Sequence, residues 1–238
     1  MMHPKVTFKL NKLLDKRMAY AFSNTSKAGV DFSKGVISKH PRLKKVFEMH
    51  SDAQKIIAIG RYFDLYYKHN GATLKRLADE FTQDWKKVEA RFFGDVEKLF
   101  KGYQFPRGKY IGYVSAINCN PRFLHDKTFQ VFYKHTLGVK FITSHELMHF
   151  IFYDYAIKRH YLLFAKKNPD DGIFWDTAEI FNSVVLSDAV FVRHNQVKKI
   201  IAYPHHRKYI GKLVRVWKET RDADVLIKAI YKEISRNQ

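Results

Sequence analysis

Two hundred and thirty-eight residues with 46% apolar content are enough for a sizeable buried core, which excludes wholesale disorder. Lysine and arginine number 43 against 23 acidic residues, and the resulting charge of +20 attracts polyanions: nucleic acid, an anionic membrane or acidic proteins. The lone cysteine, Cys119, excludes an internal disulfide, and no stretch reaches the about 18 uncharged apolar residues that span a bilayer, so the expected address is the cytoplasm.

In chain order, residues 1–50 are basic and punctuated by Gly, Ser and Pro, and read as a basic N-terminal extension with one or two short helices. Ser51 or Asp52 is placed to cap a helix that "HNG" stops after His69. Thr73 then caps a second helix, whose Leu74, Leu77, Phe81, Trp85 and Val88 recur at helical spacing and face a core, until Gly94 breaks or kinks it. "GKYIGYVSAI" and "KTFQVFYK" are rich in β-branched and aromatic residues and read as two strands around the loop "NCNPRFLHD". From Gly138 the pattern is helical. "DTAEIFNSVVLSDAVF" forms a further helix with Asp176 or Thr177 near its start, and two C-terminal helices follow "YPHHRKY". Strands followed mostly by helices make an α+β protein, with one domain over residues 51–238.

One motif carries chemistry. "TSHELMHFIFYDY" sets His145 and His149 at i and i+4, so both imidazoles project from one helix face and can hold one side of a tetrahedral zinc. Glu146, beside the first histidine, is positioned to take a proton from zinc-bound water and return it to a leaving amine. The apolar neighbours Ile142, Leu147, Met148 and Ile151 suit a buried active-site helix. A bland alternative is a core helix whose histidines make ordinary hydrogen bonds.

A catalytic zinc needs a third protein ligand. Glu179 is favoured, because a lone glutamate on the apolar helix "WDTAEIFNSVVL" is badly placed without a partner. His160, in the basic and exposed-looking "KRHY", competes with it, as do Asp176 and Asp188.

HELMH followed by Glu179 on a second helix resembles the gluzincin metallopeptidases, and most closely the minimal, soluble minigluzincins. The likeness spans about a third of the chain and matches only His145, Glu146, His149 and Glu179. It implies first ligand, general base, second ligand and third ligand in that order, with Zn²⁺ as cofactor. It also implies a zincin-like core, in which a small, mostly antiparallel sheet packs on the active-site helix between additional N- and C-terminal helices. In that clan the strand before the active-site helix is a sheet edge that pairs with extended substrate, which would make Phe129, Gln130, Val131 and Phe132 substrate-binding. Plain core packing is the other reading of those four residues.

Gluzincins usually add a Tyr or His that stabilises the oxyanion. Tyr203, His205, His206 and Tyr209 are on offer, and His206 is the weak preference. The family's acidic residue four positions after the glutamate ligand is replaced by Ser183, with Asn182 before it; either is able to accept a hydrogen bond from His145. Cys119 reads as a buried thiol, or less readily as a thiolate that reaches the zinc.

The expected activity is zinc-dependent hydrolysis of peptide bonds in a peptide or protein substrate. The alternatives are a basic nucleic-acid-associated protein, a DNA-linked protease (whose third ligand is histidine, promoting His160) and a catalytically silent zinc protein.

Overall fold

The computed structural model describes residues 3–236. The elements run β1 (Val6–Leu10), α1 (Lys12–Ala21), β2 (Ser26–Lys27), β3 (Val30–Asp31), α2 (Phe32–Lys39), α3 (Lys44–Phe47), α4 (Asp52–Lys86), α5 (Glu89–Leu99), β4 (Tyr110–Ser115), β5 (Arg122–Phe123), β6 (Thr128–Phe132), α6 (Gly138–Arg159), α7 (Tyr161–Phe164), α8 (Gly172–Val185), α9 (Ala189–Asn195), α10 (Arg207–Thr220) and α11 (Ala223–Ser235). The protein is α+β and mostly helical. No helix among the described residues is long and apolar enough to cross a membrane.

The chain divides into two compact units. One takes in Lys5–Lys86 and Lys109–Ile142; the other takes in residues 3–4, Lys87–Gly108 and residues 143–236.

The first unit is built on a four-stranded sheet of order β1-β4-β6-β5. β1 and β4 pair in parallel, as do β4 and β6, and only β5 runs antiparallel to β6. The expected mostly antiparallel sheet is thus a mixed one. Residues 116–127 form the crossover between the parallel β4 and β6, and β5 is its returning arm. Residues 6–50 are no appendage either. β1 alternates buried Val6 and Phe8 with exposed Thr7 and Lys9, the period of a half-buried strand, and α1 packs on α4. At Gly112 on β4 a Cβ would collide with the Phe8 ring, so glycine is what makes room for the aromatic of the neighbouring strand.

α4 runs unbroken through His69, Asn70 and Gly71, where a stop was expected. Its buried Ile59, Phe63, Leu74, Ala78 and Trp85 keep one helical stripe in the core on both sides of Gly71. Burial of that stripe outweighs the about 1 kcal/mol that an internal glycine costs. Gly94 likewise lies within α5, and the break falls at residues 87–88 instead.

A buried carboxylate joins four elements of this unit. Asp15 on α1 is fully buried. Its Oδ1 accepts from Ser115 Oγ and Gln130 Nε2, both at 2.7 Å, and its Oδ2 accepts from Tyr67 Oη at 2.7 Å and the Ala116 amide at 2.8 Å. Burial pushes its pKa up, against the pull of these four donors. Cys119 lies in the same unit's core with Val36, Leu43, Ile59 and Phe63. Burial pushes its thiol up to about 12, and Cys119 is not among the side chains that gather closely enough to hold a metal.

The second unit is helical, with α10 and α11 packed on α8 and α9 on α5. α8 is buried on every side from Phe174 to Val185 except at Asp176, as expected of a helix apolar nearly all round. The predicted helix over 176–191 is in fact two. α8 starts earlier and ends at Val185, and Asp188 caps α9 by accepting from the Val190 amide at 3.0 Å.

Candidate metal centre

The HELMH histidines lie on α6, a helix buried along most of its length from Phe141 to Ala156. Aromatic contacts lock α6 to α8. Phe152 meets Phe181 at 5.0 Å between ring centroids, and Tyr153 meets Phe174 at 4.8 Å. Asn182 adds a polar tie, its Nδ2 donating to the His145 carbonyl at 3.1 Å. This packing sets the face of α8 that carries Glu179 against the face of α6 that carries both histidines.

Three side chains converge there. His145 Nε2 and His149 Nε2 are 3.0 Å apart. His145 Nε2 is 3.2 Å from Glu179 Oε2, and His149 Nε2 is 3.3 Å from Glu179 Oε1. Ligands at about 2.0–2.1 Å from a tetrahedral zinc lie about 3.3–3.4 Å apart, and the separation of the two nitrogens and the distance from each nitrogen to the Glu179 oxygen it faces are of that order. Among the described residues this is the one group of three or more His, Cys, Asp or Glu side chains whose ligand atoms gather closely enough to hold a metal. The two nitrogens and one carboxylate oxygen also form a donor set of the type zinc accepts.

Exposure is graded across the group. The His149 side chain is 0% exposed, Glu179 3% and His145 21%. His145 is the ligand nearest solvent, and the other two form the floor. Burial pushes the Glu179 carboxyl up, but the charge of His149 and the bonds from His145 and His149 together hold it well below the usual carboxylate range. Glu146 is buried one position after the first histidine.

The rival third ligands are engaged elsewhere. His160 is buried rather than exposed, with Nε2 at 2.9 Å from Asp224 Oδ1. Asp176 Oδ1 lies 2.7 Å from His206 Nε2. Asp188 accepts from Trp217 Nε1 at 2.9 Å and pairs with Arg221. His206 itself is buried against Trp175 and Tyr203, and it is not one of the converging side chains. Ser183 Oγ donates to the Glu179 carbonyl at 2.8 Å and Asn182 Nδ2 donates to the His145 backbone, while Asn182 Oδ1 accepts no hydrogen bond, so the expected bond from the His145 ring is not made.

The expected substrate edge is not an edge. β6 lies between β4 and β5, and all five of its residues are buried. Phe129 pairs across to Arg122, the Gln130 amide donates to the Pro121 carbonyl at 2.9 Å, and the Phe132 amide donates to Asn120 Oδ1 at 2.8 Å. The backbone donors that would greet a substrate strand are already used. The Gln130 side chain serves Asp15, and Phe129, Val131 and Phe132 are core.

No protein-family model, no curated protein and no solved structure matches the chain. The site therefore has to be read from its own geometry.

Proposed function

We propose that the protein is a zinc-dependent hydrolase of peptide bonds, with His145, His149 and Glu179 as metal ligands and Glu146 as general base. The observation that carries this reading is the meeting of two imidazole Nε2 atoms and one carboxylate, from two different helices, with a buried glutamate following the first histidine in sequence. A structural site has no use for a carboxylate at Glu146, whereas hydrolysis needs one there.

A divalent ion such as zinc supplies Lewis acidity, which polarises a carbonyl and acidifies water. The chain's own groups do the rest. His149 and Glu179 fix the floor of the site, and the partly open His145 side admits substrate. Glu146 takes a proton from the attacking water and delivers it to the departing amine. Asn182, tied to the His145 carbonyl, holds α6 in register with α8. The gluzincin likeness implies the same donor set, with Glu146 next to the first histidine in sequence, and the mixed sheet marks a departure from the expected surroundings.

The test is cleavage of a mixed peptide library by zinc-loaded wild type and Glu146→Gln. Wild type should cleave. The variant should keep its metal and lose about 10²–10⁴-fold in rate, the usual contribution of a general base. Full turnover by Glu146→Gln would refute the mechanism.

A further inference from the structure

At the far end of α6, a cavity of about 380 Å³ is lined by Phe100, Lys101, Tyr155, Arg159, His160, Asp224 and Lys228. Three of these are permanent cations and one is a carboxylate. Asp224 is already saturated: Oδ1 faces Tyr155 Oη at 2.7 Å and His160 Nε2 at 2.9 Å, and Oδ2 accepts from Lys101 Nζ at 2.8 Å. Lys101 is shared with Asp222 at 2.8 Å. Arg159 and Lys228 have no carboxylate partner among the described residues. The cavity lining thus combines two cations without a carboxylate partner and the rings of Phe100 and Tyr155, which are 4.8 Å apart.

The same turn of chain carries apolar side chains with nothing to cover them. Leu162 is 97% exposed, Tyr161 64% and Ile157 40%, and they bracket Arg159 and His160 in sequence. Lys166 and Lys167 follow, both exposed. Side chains of this kind beside basic residues are what an interfacial membrane site requires, with apolar groups entering the headgroup boundary and cations meeting lipid phosphate. A polynucleotide offers the phosphates but no apolar phase for Leu162.

We propose that this corner docks on an anionic phospholipid surface. Ile157, Tyr161 and Leu162 enter the boundary between headgroups and acyl chains, and Arg159 and Lys228 receive a headgroup phosphate in the cavity. The docking needs no metal, so it stands or falls apart from the hydrolase reading.

The experiment is co-sedimentation of the full chain with vesicles of equal parts phosphatidylcholine and phosphatidylserine, and with phosphatidylcholine alone. The variants are Leu162→Asp and the double variant Arg159→Glu/Lys228→Glu. Lys44→Glu/Lys45→Glu, both exposed, is the charge-matched control. Wild type should pellet with the mixed vesicles only. Leu162→Asp should weaken partitioning ~10-fold or more, as expected for one buried leucine. Arg159→Glu/Lys228→Glu should weaken it by at least ~25-fold, about five-fold per cation removed. The control should stay within about two-fold, because neither Lys44 nor Lys45 lines the cavity. Wild-type binding by Leu162→Asp, or an equal loss in the control, would leave only diffuse charge and overturn the proposal. So would two other results: inorganic phosphate bound through Arg159 and Lys228 without vesicle binding, or single-stranded DNA bound through them in its place.

Discussion

Asp15 and Glu179 are both buried carboxylates, one in each unit, and they are satisfied in opposite ways. Asp15 meets four donors at hydrogen-bond distance, two hydroxyls, an amide side chain and a backbone amide. Each carboxylate oxygen meets two donors. Glu179 faces two imidazoles, one on each oxygen. Imidazoles are adjustable partners, since the nitrogen that donates a proton to a carboxylate can instead give its lone pair to a metal. The four-donor cage is complete as a structure, whereas the two-histidine pair has the composition of a ligand set. Burial raises the first carboxyl, and the imidazoles lower the second.

That contrast breaks or sharpens under four changes, in order of expected size. Zinc at a thousand times its dissociation constant should stabilise wild type by about 4 kcal/mol, read as a chelator-sensitive melting temperature, and Glu179→Ala should abolish the sensitivity. Asp15→Asn should cost about 2–3 kcal/mol, because the amide's NH₂ opposes two of the four donors, and the loss should be the same with or without chelator. Tyr67→Phe, which removes one donor from the same cage, should cost about 1–2 kcal/mol in denaturant unfolding.

The smallest effect is the dependence on pH. The folded-state pKa of Asp15 is raised above its ordinary 3.8. Its contribution is therefore fully present below that value and fades as pH rises through the folded pKa. The stability of wild type relative to Asp15→Asn should fall with pH from about 4 upward. A rise instead would mean that the four donors outweigh burial.

The two regions also differ in how far the sequence discloses them. His145, Glu146 and His149 are local: three residues one helical turn apart announce their chemistry without reference to the rest of the chain. Glu179 is legible because it interrupts an apolar helix. Asp15 has no such signal, because "LLDKR" looks like any charged helix face, and its four partners come from positions scattered between Tyr67 and Gln130. β1 is hidden by Lys9 and the flanking Lys5, although "VTFKL" does alternate, and β5 is too short to carry a pattern. The stop expected at Gly71 and the edge expected at β6 failed for one reason: local propensity and analogy both gave way to burial, which decides where a helix ends and which strand a sheet encloses.

The most direct measurement is metal content per chain, by elemental analysis after zinc supply and removal of excess, for wild type, Glu179→Ala and His160→Ala. The account predicts one zinc in wild type and in His160→Ala and none in Glu179→Ala, since His160 is held by Asp224. Zinc retained without Glu179, or absent from wild type, would contradict it.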